Sequence, residues 1–350
     1  MKFISIVGTR PNIIKLAPMH QAITDNGHEH VILHTGQHYD DNMSSNLFKE
    51  LKLPEPDYNL GLGSGWLSQQ FASGVCPIAD ILNAENPDMT LIYGDVVSSL
   101  AGAIASVQNH HPIAHIEAGI RNNSMLITEH FNRIIIDRIA QLNFCVSQTD
   151  YENLQAEDLG RTAHIVGDVM KDLSLTAPMP KGNRETGHIL LTLHRPENVD
   201  DPKKFHRILQ ALEKIGRKVV WPIHPRSRHA LAKLGVTPNG KIELIEPQSY
   251  TEMTVLLRDC SMVITDSGGL QKEAYWAHKP CIVVYDDIVW PEIFETGNQC
   301  IVRDNFEDIP ELVREFSGSI KHPTLFGAGD ASQRIVKIIE DTDLNEIFRQ

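Results

Sequence analysis

The chain has 350 residues, of which 41% are hydrophobic and 22% charged, and its formal net charge is −13 at pH 7. This length allows two domains with separate cores, and no apolar run approaches the roughly 20 residues that a membrane-spanning helix needs. The negative charge argues against nucleic acid as a partner, because nucleic acid binding normally requires a basic face. An acidic ligand would therefore have to be held by locally placed cations.

The cysteines and the N-terminus predict a cytoplasmic protein. An odd number of cysteines without a Cys-x-x-Cys spacing argues against both a disulfide framework and a zinc site. The apolar run at Met1–Gly8 is too short and too soon interrupted to be a secretory signal. We therefore expect a reducing compartment. The five cysteines are Cys76, Cys145, Cys260, Cys281 and Cys300.

Apolar runs rich in β-branched residues alternate with segments of helical period along the whole chain. This alternation predicts parallel sheets with helices on both faces, and hence an α/β fold of two doubly wound Rossmann-like domains. The predicted helices include Ile13–Asp25, Leu67–Asn83 and Glu252–Arg258. The predicted strands are Lys2–Val7, Glu29–His34, Met89–Tyr93, Ile113–Ile116, Gln141–Cys145, His164–Val166, His188–Leu193, Val219–Ile223, Ile242–Ile245, Met262–Thr265 and Cys281–Tyr285.

A change in composition near residues 172–187 indicates a linker, because the run 176–184 is polar and contains two prolines. We therefore predict an N-terminal domain at 1–172, a C-terminal domain at 173–325, and a final helix within 326–350 that packs back on the first domain. Ligands of such sheets bind outside the carboxyl ends of the strands. Two facing halves then predict a site in the cleft between them.

The first candidate site is the run Asp266-Ser267-Gly268-Gly269, which connects a predicted strand to a helical pattern that begins at Leu270. A strand that turns through small residues into a helix leaves backbone N–H groups at the positive end of the helix dipole, which suits a phosphate. Glu273 follows about one turn later, within reach of a sugar hydroxyl. The run matches neither the Walker loop nor the dinucleotide-binding turn, and an ordinary glycine-rich turn is the alternative.

Polar clusters also follow the strands of the first half. Arg10 and Lys15 come at the start of a predicted helix, where cations oppose the dipole, which indicates an anionic ligand rather than a solvated helix end. Asp95 and Glu117 follow buried strands, and Glu129 comes twelve residues after Glu117. Each carboxylate alone is more often a helix cap or a structural ion pair, but three that converge on one site predict proton transfer.

Two histidines stand at equivalent strand ends in the second half. His194 is followed by Arg195, and His224 has Arg226 and Arg228 close behind it. Such groups suit a phosphate or a developing anion. The spacing of these histidines gives no support for a metal site.

Together these clusters resemble the non-hydrolysing UDP-N-acetylglucosamine 2-epimerase family over nearly the full chain. The resemblance implies the two-domain glycosyltransferase-B arrangement, a UDP-sugar substrate, a homodimer, and neither metal nor nicotinamide. The motifs that carry it are Gly8-Thr9-Arg10-Pro11, Thr35-Gly36-Gln37-His38, Gly94-Asp95, His115-Ile116-Glu117-Ala118-Gly119-Ile120-Arg121, Glu129 with Asn132-Arg133, Val166-Gly167-Asp168, His194-Arg195, Ile223-His224-Pro225 and Thr265-Asp266-Ser267-Gly268-Gly269.

The family's reaction eliminates UDP from C1 of the sugar with loss of the C2 proton, which gives a 2-acetamidoglucal. UDP then adds back while a proton reaches the opposite face of C2. The resemblance implies four catalytic residues, Asp95, Glu117, Glu129 and His194, without assigning a face of the ring to each carboxylate. It also implies the substrate-binding residues Arg10, Lys15, Gln37, His38, Arg133, Arg195, His224, Ser267, Gly268, Gly269 and Glu273.

The chain departs from the family pattern at two motifs. Thr128-Glu129-His130 stands where the family usually has Pro-Glu-Glu, and the run 285–292 replaces Arg-Asp-Thr-Thr-Glu-Arg-Pro-Glu with Tyr-Asp-Asp-Ile-Val-Trp-Pro-Glu. The short segment between Glu117 and Glu129, together with the run 193–198, is more similar to the branch that acts on UDP-2,3-diacetamido-glucuronate. These departures leave open the identity of the sugar and the activity itself.

The leading hypothesis is a 2-epimerase of a UDP-2-acetamido sugar that supplies a manno-configured precursor for surface polysaccharide. The alternative sugar is UDP-2,3-diacetamido-2,3-dideoxy-glucuronate. A UDP-sugar glycosyltransferase of the same fold is a second class, although a transferase needs one base rather than carboxylates on both sides of C2. A nucleotide-sugar-binding protein without catalysis is the third.

Overall fold

The computed structural model describes residues 1–36, 41–63, 65–121, 125, 127–176, 187–238, 241–318 and 321–343. The chain divides into two units, which are treated separately below. Unit one comprises Met1–Thr176 and Thr324–Gln350, and unit two comprises Ala177–Pro323.

Unit one is built around a parallel sheet. Its strands are β1 (Lys2–Val7), β2 (Glu29–His34), β3 (Tyr58–Asn59), β4 (Met89–Tyr93), β5 (Ile113–Ala118), β6 (Leu142–Cys145) and β7 (Ala163–Ile165). The helices that precede unit two are α1 (Arg10–Asp25), α2 (Asp41–Glu50), α3 (Leu67–Glu85), α4 (Val97–Gln108), α5 (Thr128–Ile139), α6 (Gln148–Ala156) and α7 (Val169–Thr176).

The strand order of this sheet is β3-β2-β1-β4-β5-β6-β7. Every residue of β4 and β5 is buried, because a parallel sheet with helices on both faces has no solvent side. The order changes direction between β1 and β4, and ligands of doubly wound sheets bind beyond the strand ends at such a point. The loops after β1, β4 and β5 therefore occupy the edge where a site is expected.

Unit two repeats the plan. Its strands are β8 (Ile189–Thr192), β9 (Val219–Pro222), β10 (Ile242–Ile245), β11 (Met262–Thr265), β12 (Cys281–Val284) and β13 (Gln299–Val302). Its helices are α8 (Pro196–Val199), α9 (Pro202–Glu213), α10 (Pro225–Leu234), α11 (Tyr250–Asp259), α12 (Gly268–Trp276), α13 (Pro291–Glu295) and α14 (Ile309–Glu315), with a 3₁₀ turn at Phe306–Asp308.

The parallel strand order in unit two is β10-β9-β8-β11-β12-β13, which changes direction between β8 and β11. Leu191, Trp221, Ile264 and Ile282 meet in its core and are fully buried. The prediction of an α/β fold made of doubly wound Rossmann-like units is confirmed. Within the described ranges, no helix combines the length and the apolar character that crossing a bilayer would need.

Three local differences from the sequence prediction stand out. The strands β3 and β13 were not expected, because each is a short run next to turn residues. β5 continues through Glu117, which was expected to follow the strand. α12 begins at Gly268 rather than Leu270, since Ser267 caps it by accepting from the backbone N–H of Leu270.

The helix α15 (Ala331–Asp341) packs against α1 and α7 within unit one. Ile335, Val336 and Ile339 form its buried face. Asp172 caps its N-terminus from α7, because the two carboxylate oxygens accept the N–H groups of Ala331 at 3.1 Å and Ser332 at 2.7 Å. Asp172 thus holds α15 in unit one by placing a carboxylate at the N-terminus of this helix, which is the favourable end for negative charge.

Removing this cap tests how much it stabilises unit one. We expect Asp172→Ala to lower the free energy of unfolding in urea by about 1–2 kcal/mol, since two first-turn N–H groups lose their acceptor. Asp330→Ala is the matched control, because Asp330 stands at the N-cap of the same helix and makes no side-chain cap hydrogen bond. Equal effects of the two variants would contradict the capping role.

Candidate active site

In unit one the predicted residues Lys15, Asp95, Glu117 and Arg133 come together in one cluster. Lys15 projects from α1 and pairs with Oε2 of Glu117. Arg133 projects from α5, and its Nη1 lies 2.6 Å from Oδ2 of Asp95 while its Nη2 lies 3.7 Å from Oε2 of Glu117. Two carboxylates and two cations thus alternate at the ends of β4 and β5.

Burial makes this pairing obligatory. Lys15, Glu117 and Arg133 are 5%, 9% and 4% exposed, and charges removed from water are tolerated only when they are paired and hydrogen-bonded. Burial alone would lower the pKa of the Arg133 guanidinium, but the nearby Asp95 and Glu117 carboxylates outweigh it and raise the pKa. Arg133 therefore remains a permanent cation beside two carboxylates.

The backbone at Glu117 is strained. Its φ is +70°, a region that a residue with a long side chain rarely adopts, and the pairing of β5 with β6 shifts register between Ile116 and Ala118. Such an irregularity re-aims a side chain at the end of a strand. Gly94, at φ +61°, lies opposite, and a Cβ there would be 3.3 Å from Oε2 of Glu117. The strained turn and the adjacent glycine place the carboxylate at the sheet edge, where strain is commonly associated with function.

A second buried network supports the loops that follow β4 and β5. Its central residue, Asp137, was not predicted from the sequence. Asp137, fully buried on α5, accepts from Arg121 at 2.7 Å and from the N–H of Gly119 at 3.2 Å. The ring of His115 bridges its carboxylate at 2.7 Å and the carbonyl of Gly94 at 2.8 Å. The pKa of Asp137, which burial would raise, is lowered by the hydrogen bond from His115 and by the charges of His115 and Arg121. The sequence signal for Asp137 was its position on the same helix, four residues after Arg133.

Arg10 and Glu129, which were also predicted, lie in the first turns of α1 and α5. Glu129 is exposed in the first turn of α5 and makes none of the contacts described above. Arg10 opens α1 and is half-buried. Gln37 and His38 lie outside the described residues. His130, which stands where the family has an acid, is buried, and its pKa is lowered by burial and by Arg121 and Arg133.

In unit two the predicted glycine-rich turn forms the N-terminus of α12. Gly268 and Gly269 occupy its first turn behind the Ser267 cap, and Glu273 follows on the same helix, half-buried. Trp290 donates from Nε1 to the carbonyl of Gly268 at 2.8 Å, and Lys272 Nζ lies 4.2 Å from the centre of its ring. Trp290 stands where the family has an arginine, and its hydrogen bond to Gly268 helps to fix the turn.

Asp266 belongs to the predicted glycine-rich run, although the sequence predicts no role for it. It holds the loop that carries His194 and Arg195. It is fully buried directly after β11 and accepts from the backbone N–H groups of both residues, at 3.0 and 2.9 Å, and from Asn198 Nδ2 at 3.2 Å. Burial would raise its pKa, but the hydrogen bonds from His194 and Arg195 and the charge of His194 lower it. Asp266 is an acid immediately after a buried predicted strand, which is the same sequence signal that indicated Glu117.

The remaining predicted residues of unit two surround His194. Arg195 stacks on Tyr285 at 3.9 Å and donates from Nε to the carbonyl of Asp266 at 2.7 Å. The ring of His224, at the N-cap of α10, lies 5.5 Å from the ring of His194. His194, Arg195, His224 and the α12 turn thus lie at the carboxyl ends of β8, β9 and β11. In the part of the chain that the structure describes, no group of three or more His, Cys, Asp and Glu residues is arranged to hold a metal ion.

Residues 21–340 match the family described as UDP-N-acetylglucosamine 2-epimerase. The chain belongs to this family. It is therefore an isomerase of the UDP-sugar 2-epimerase kind, and the resemblance drawn from the sequence motifs is confirmed.

Individual relatives align with this chain over nearly their whole length. UDP-2,3-diacetamido-2,3-dideoxy-D-glucuronate 2-epimerase of Pseudomonas aeruginosa is 38% identical, over 97% of this chain and 99% of its own. The structure of Methanocaldococcus jannaschii UDP-GlcNAc 2-epimerase in complex with UDP-GlcNAc and UDP is 33% identical, with a TM-score of 0.90, over 98% of this chain and 100% of its own. That of the Neisseria meningitidis enzyme bound to UDP-GlcNAc is 25% identical, with a TM-score of 0.87, over 98% and 100%.

The charge cluster of unit one makes a stability prediction. Arg133→Met leaves two carboxylates with one cation, so we expect the free energy of unfolding to fall by about 3–5 kcal/mol. Asp95→Asn in the same chain should recover part of this loss. Arg138→Met is the control, because Arg138 is exposed on the same helix. Urea unfolding compares the variants, and a loss no larger than that of Arg138→Met would refute the pairing.

Proposed function

We propose that this enzyme is a non-hydrolysing 2-epimerase of a UDP-2-acetamido sugar, of the UDP-N-acetylglucosamine to UDP-N-acetylmannosamine type. The C1–O bond to UDP breaks as the C2 proton is removed, which leaves a 2-acetamidoglucal and UDP. UDP then adds back to C1 while a proton is delivered to the other face of C2. The reaction needs proton-transfer groups and a site that stabilises the departing diphosphate.

The observation that carries the proposal is the pair of carboxylates, Asp95 and Glu117, held side by side at the ends of β4 and β5 by Arg133. General acid–base catalysis requires groups fixed within reach of the proton that they move. A transferase needs one base, whereas epimerisation needs a proton acceptor and a proton donor. Glu129, exposed on α5, is the third carboxylate in this proposal.

The diphosphate is assigned to the groups of unit two. The N-terminus of α12 offers the N–H groups of Gly268 and Gly269, and helix N-termini bind phosphate because unpaired N–H groups and the dipole act together. Arg195 and His224 supply donors nearby, and Glu273 is the proposed ribose contact. Fixed donors of this kind stabilise a leaving anion without reorganising during the reaction.

The second candidate substrate is UDP-2,3-diacetamido-2,3-dideoxy-glucuronate. It is supported by the relative from Pseudomonas aeruginosa, at 38% identity, and by the short segment between Glu117 and Glu129. The replacements at Tyr285 and Trp290 lie beside Arg195 and Gly268. They therefore alter the surroundings of the proposed substrate groups without removing those groups.

We also infer a cytoplasmic homodimer that supplies a manno-configured precursor for surface polysaccharide. A reducing compartment is supported by the five cysteines, which are all free. The homodimer and the role in polysaccharide synthesis follow from the family resemblance.

Proton NMR in deuterated buffer tests the reaction and the sugar together. Wild-type enzyme is incubated with UDP-N-acetylglucosamine and with UDP-2,3-diacetamido-glucuronate in separate tubes. We expect deuterium at C2 and a manno-configured product with one of them, because the proton returned to C2 comes from a group that exchanges with solvent. Tight UDP binding without exchange into either sugar would contradict the proposal.

Variants in the same assay test the carboxylates. Glu117→Gln should slow C2 exchange by about 10²–10⁴-fold, the usual contribution of a general acid or base. Glu152→Gln is the matched control, because Glu152 is exposed on α6 of the same unit, and it should leave the rate close to that of the wild type. Equal rates in the two variants would remove Glu117 from the mechanism.

A further inference from the structure

We propose that Asp266 is a positioning residue that fixes the tautomer of His194, so that Nε2 is the nitrogen through which this histidine acts. The inference rests on the proposed function for its catalytic consequence and on the contacts of Asp266 for its structural part. Asp266 Oδ1 lies 3.1 Å from His194 Nδ1. The His194 side chain is 39% exposed, whereas that of Asp266 is fully buried.

Which of these two atoms carries the proton follows from the other partners of Asp266. Oδ1 already accepts the backbone N–H of His194 at 3.1 Å, and Oδ2 accepts the N–H of Arg195 at 2.9 Å and Asn198 Nδ2 at 3.2 Å. A carboxylate surrounded by donors on both oxygens is held in its charged, acceptor-only form. Nδ1 of His194, which faces this carboxylate at 3.1 Å, therefore carries the proton, and Nε2 of the neutral ring carries the lone pair.

His224 has the opposite arrangement. Its Nδ1 accepts the backbone N–H of Arg226 at 3.2 Å as part of the α10 cap. The neutral His224 ring therefore carries its proton on Nε2, where it can donate to an anion but cannot accept a proton. Of these two neighbouring histidines, only His194 is set to take a proton at Nε2.

The pair acts without moving a proton onto Asp266. When Nε2 of His194 takes a proton, the ring becomes an imidazolium whose charge the Asp266 carboxylate stabilises. The proton on Nδ1 stays in place, facing the carboxylate. When the ring returns the proton from Nε2, the starting state is restored. A buried carboxylate that orients a histidine in this way is known to matter greatly, because an amide in its place selects the wrong tautomer.

The test combines nitrogen NMR with kinetics. The enzyme is labelled with ¹⁵N-histidine, and His194 is assigned among the 17 histidines as the signal lost in His194→Asn. We expect the neutral ring of wild-type His194 to be protonated at Nδ1 and that of His224 at Nε2. In Asp266→Asn the amide NH₂ faces Nδ1, so the His194 proton should move to Nε2 while His224 is unchanged.

The kinetic part should follow the tautomer. We expect Asp266→Asn to lower kcat for the UDP-sugar by about 10³–10⁴-fold, as with other histidines whose carboxylate partner is replaced, with little change in the affinity for UDP. Asp304→Asn, an exposed acid in the same unit, is the control and should leave both unchanged. A merely structural role would instead weaken UDP binding and kcat together.

Several results would overturn the inference. Wild-type His194 protonated at Nε2 refutes it without any variant, and so does an Asp266→Asn enzyme that changes tautomer yet keeps its kcat. Wild-type enzyme that exchanges no deuterium into any UDP-sugar refutes the proposed function and the catalytic half of this inference. In that case the ¹⁵N spectrum still tests whether Asp266 fixes the tautomer of His194.

Discussion

Charged groups that are buried at the carboxyl ends of the strands have to be neutralised, and the arrangement of both candidate sites follows from this requirement. Glu117 lies at the end of a fully buried strand, so it requires Lys15 from α1 and Arg133 from α5. Arg133 in turn holds Asp95. Because an unpaired charge there would be costly, the helices that bring the cations are fixed against the sheet, and the two carboxylates are fixed beside each other.

The same constraint has a different solution in unit two. The buried carboxylate of Asp266 is satisfied by N–H donors from the loop after β8 rather than by a buried cation. Its neighbours therefore remain available for a ligand: the exposed side of His194, the stacked Arg195 and the N-terminus of α12. In both units a buried acid organises the loops after the central strands, which is where doubly wound sheets bind their ligands.

The sequence predicted the class of the fold and most of the residues at the strand ends, since apolar runs and the polar residues after them are local signals. It did not reveal the partners, because pairing depends on which helices pack together. Asp137 sits within an ordinary amphipathic helix, and its contact with His115 depends on tertiary structure. Asp266 belongs to a motif that was interpreted through its glycines, so its own role was not predicted. Glu129, grouped with the other carboxylates by spacing, is exposed in the first turn of α5.

The central claim is that the C1–O bond to UDP breaks and re-forms during epimerisation. A UDP-2-acetamido sugar labelled with ¹⁸O in the bridge between C1 and the β-phosphorus tests it most directly. We expect the label to move into the non-bridging positions of the β-phosphate, because the terminal phosphate of released UDP rotates before it adds back to C1. An epimerised product that keeps all of its label in the bridge would contradict the elimination mechanism.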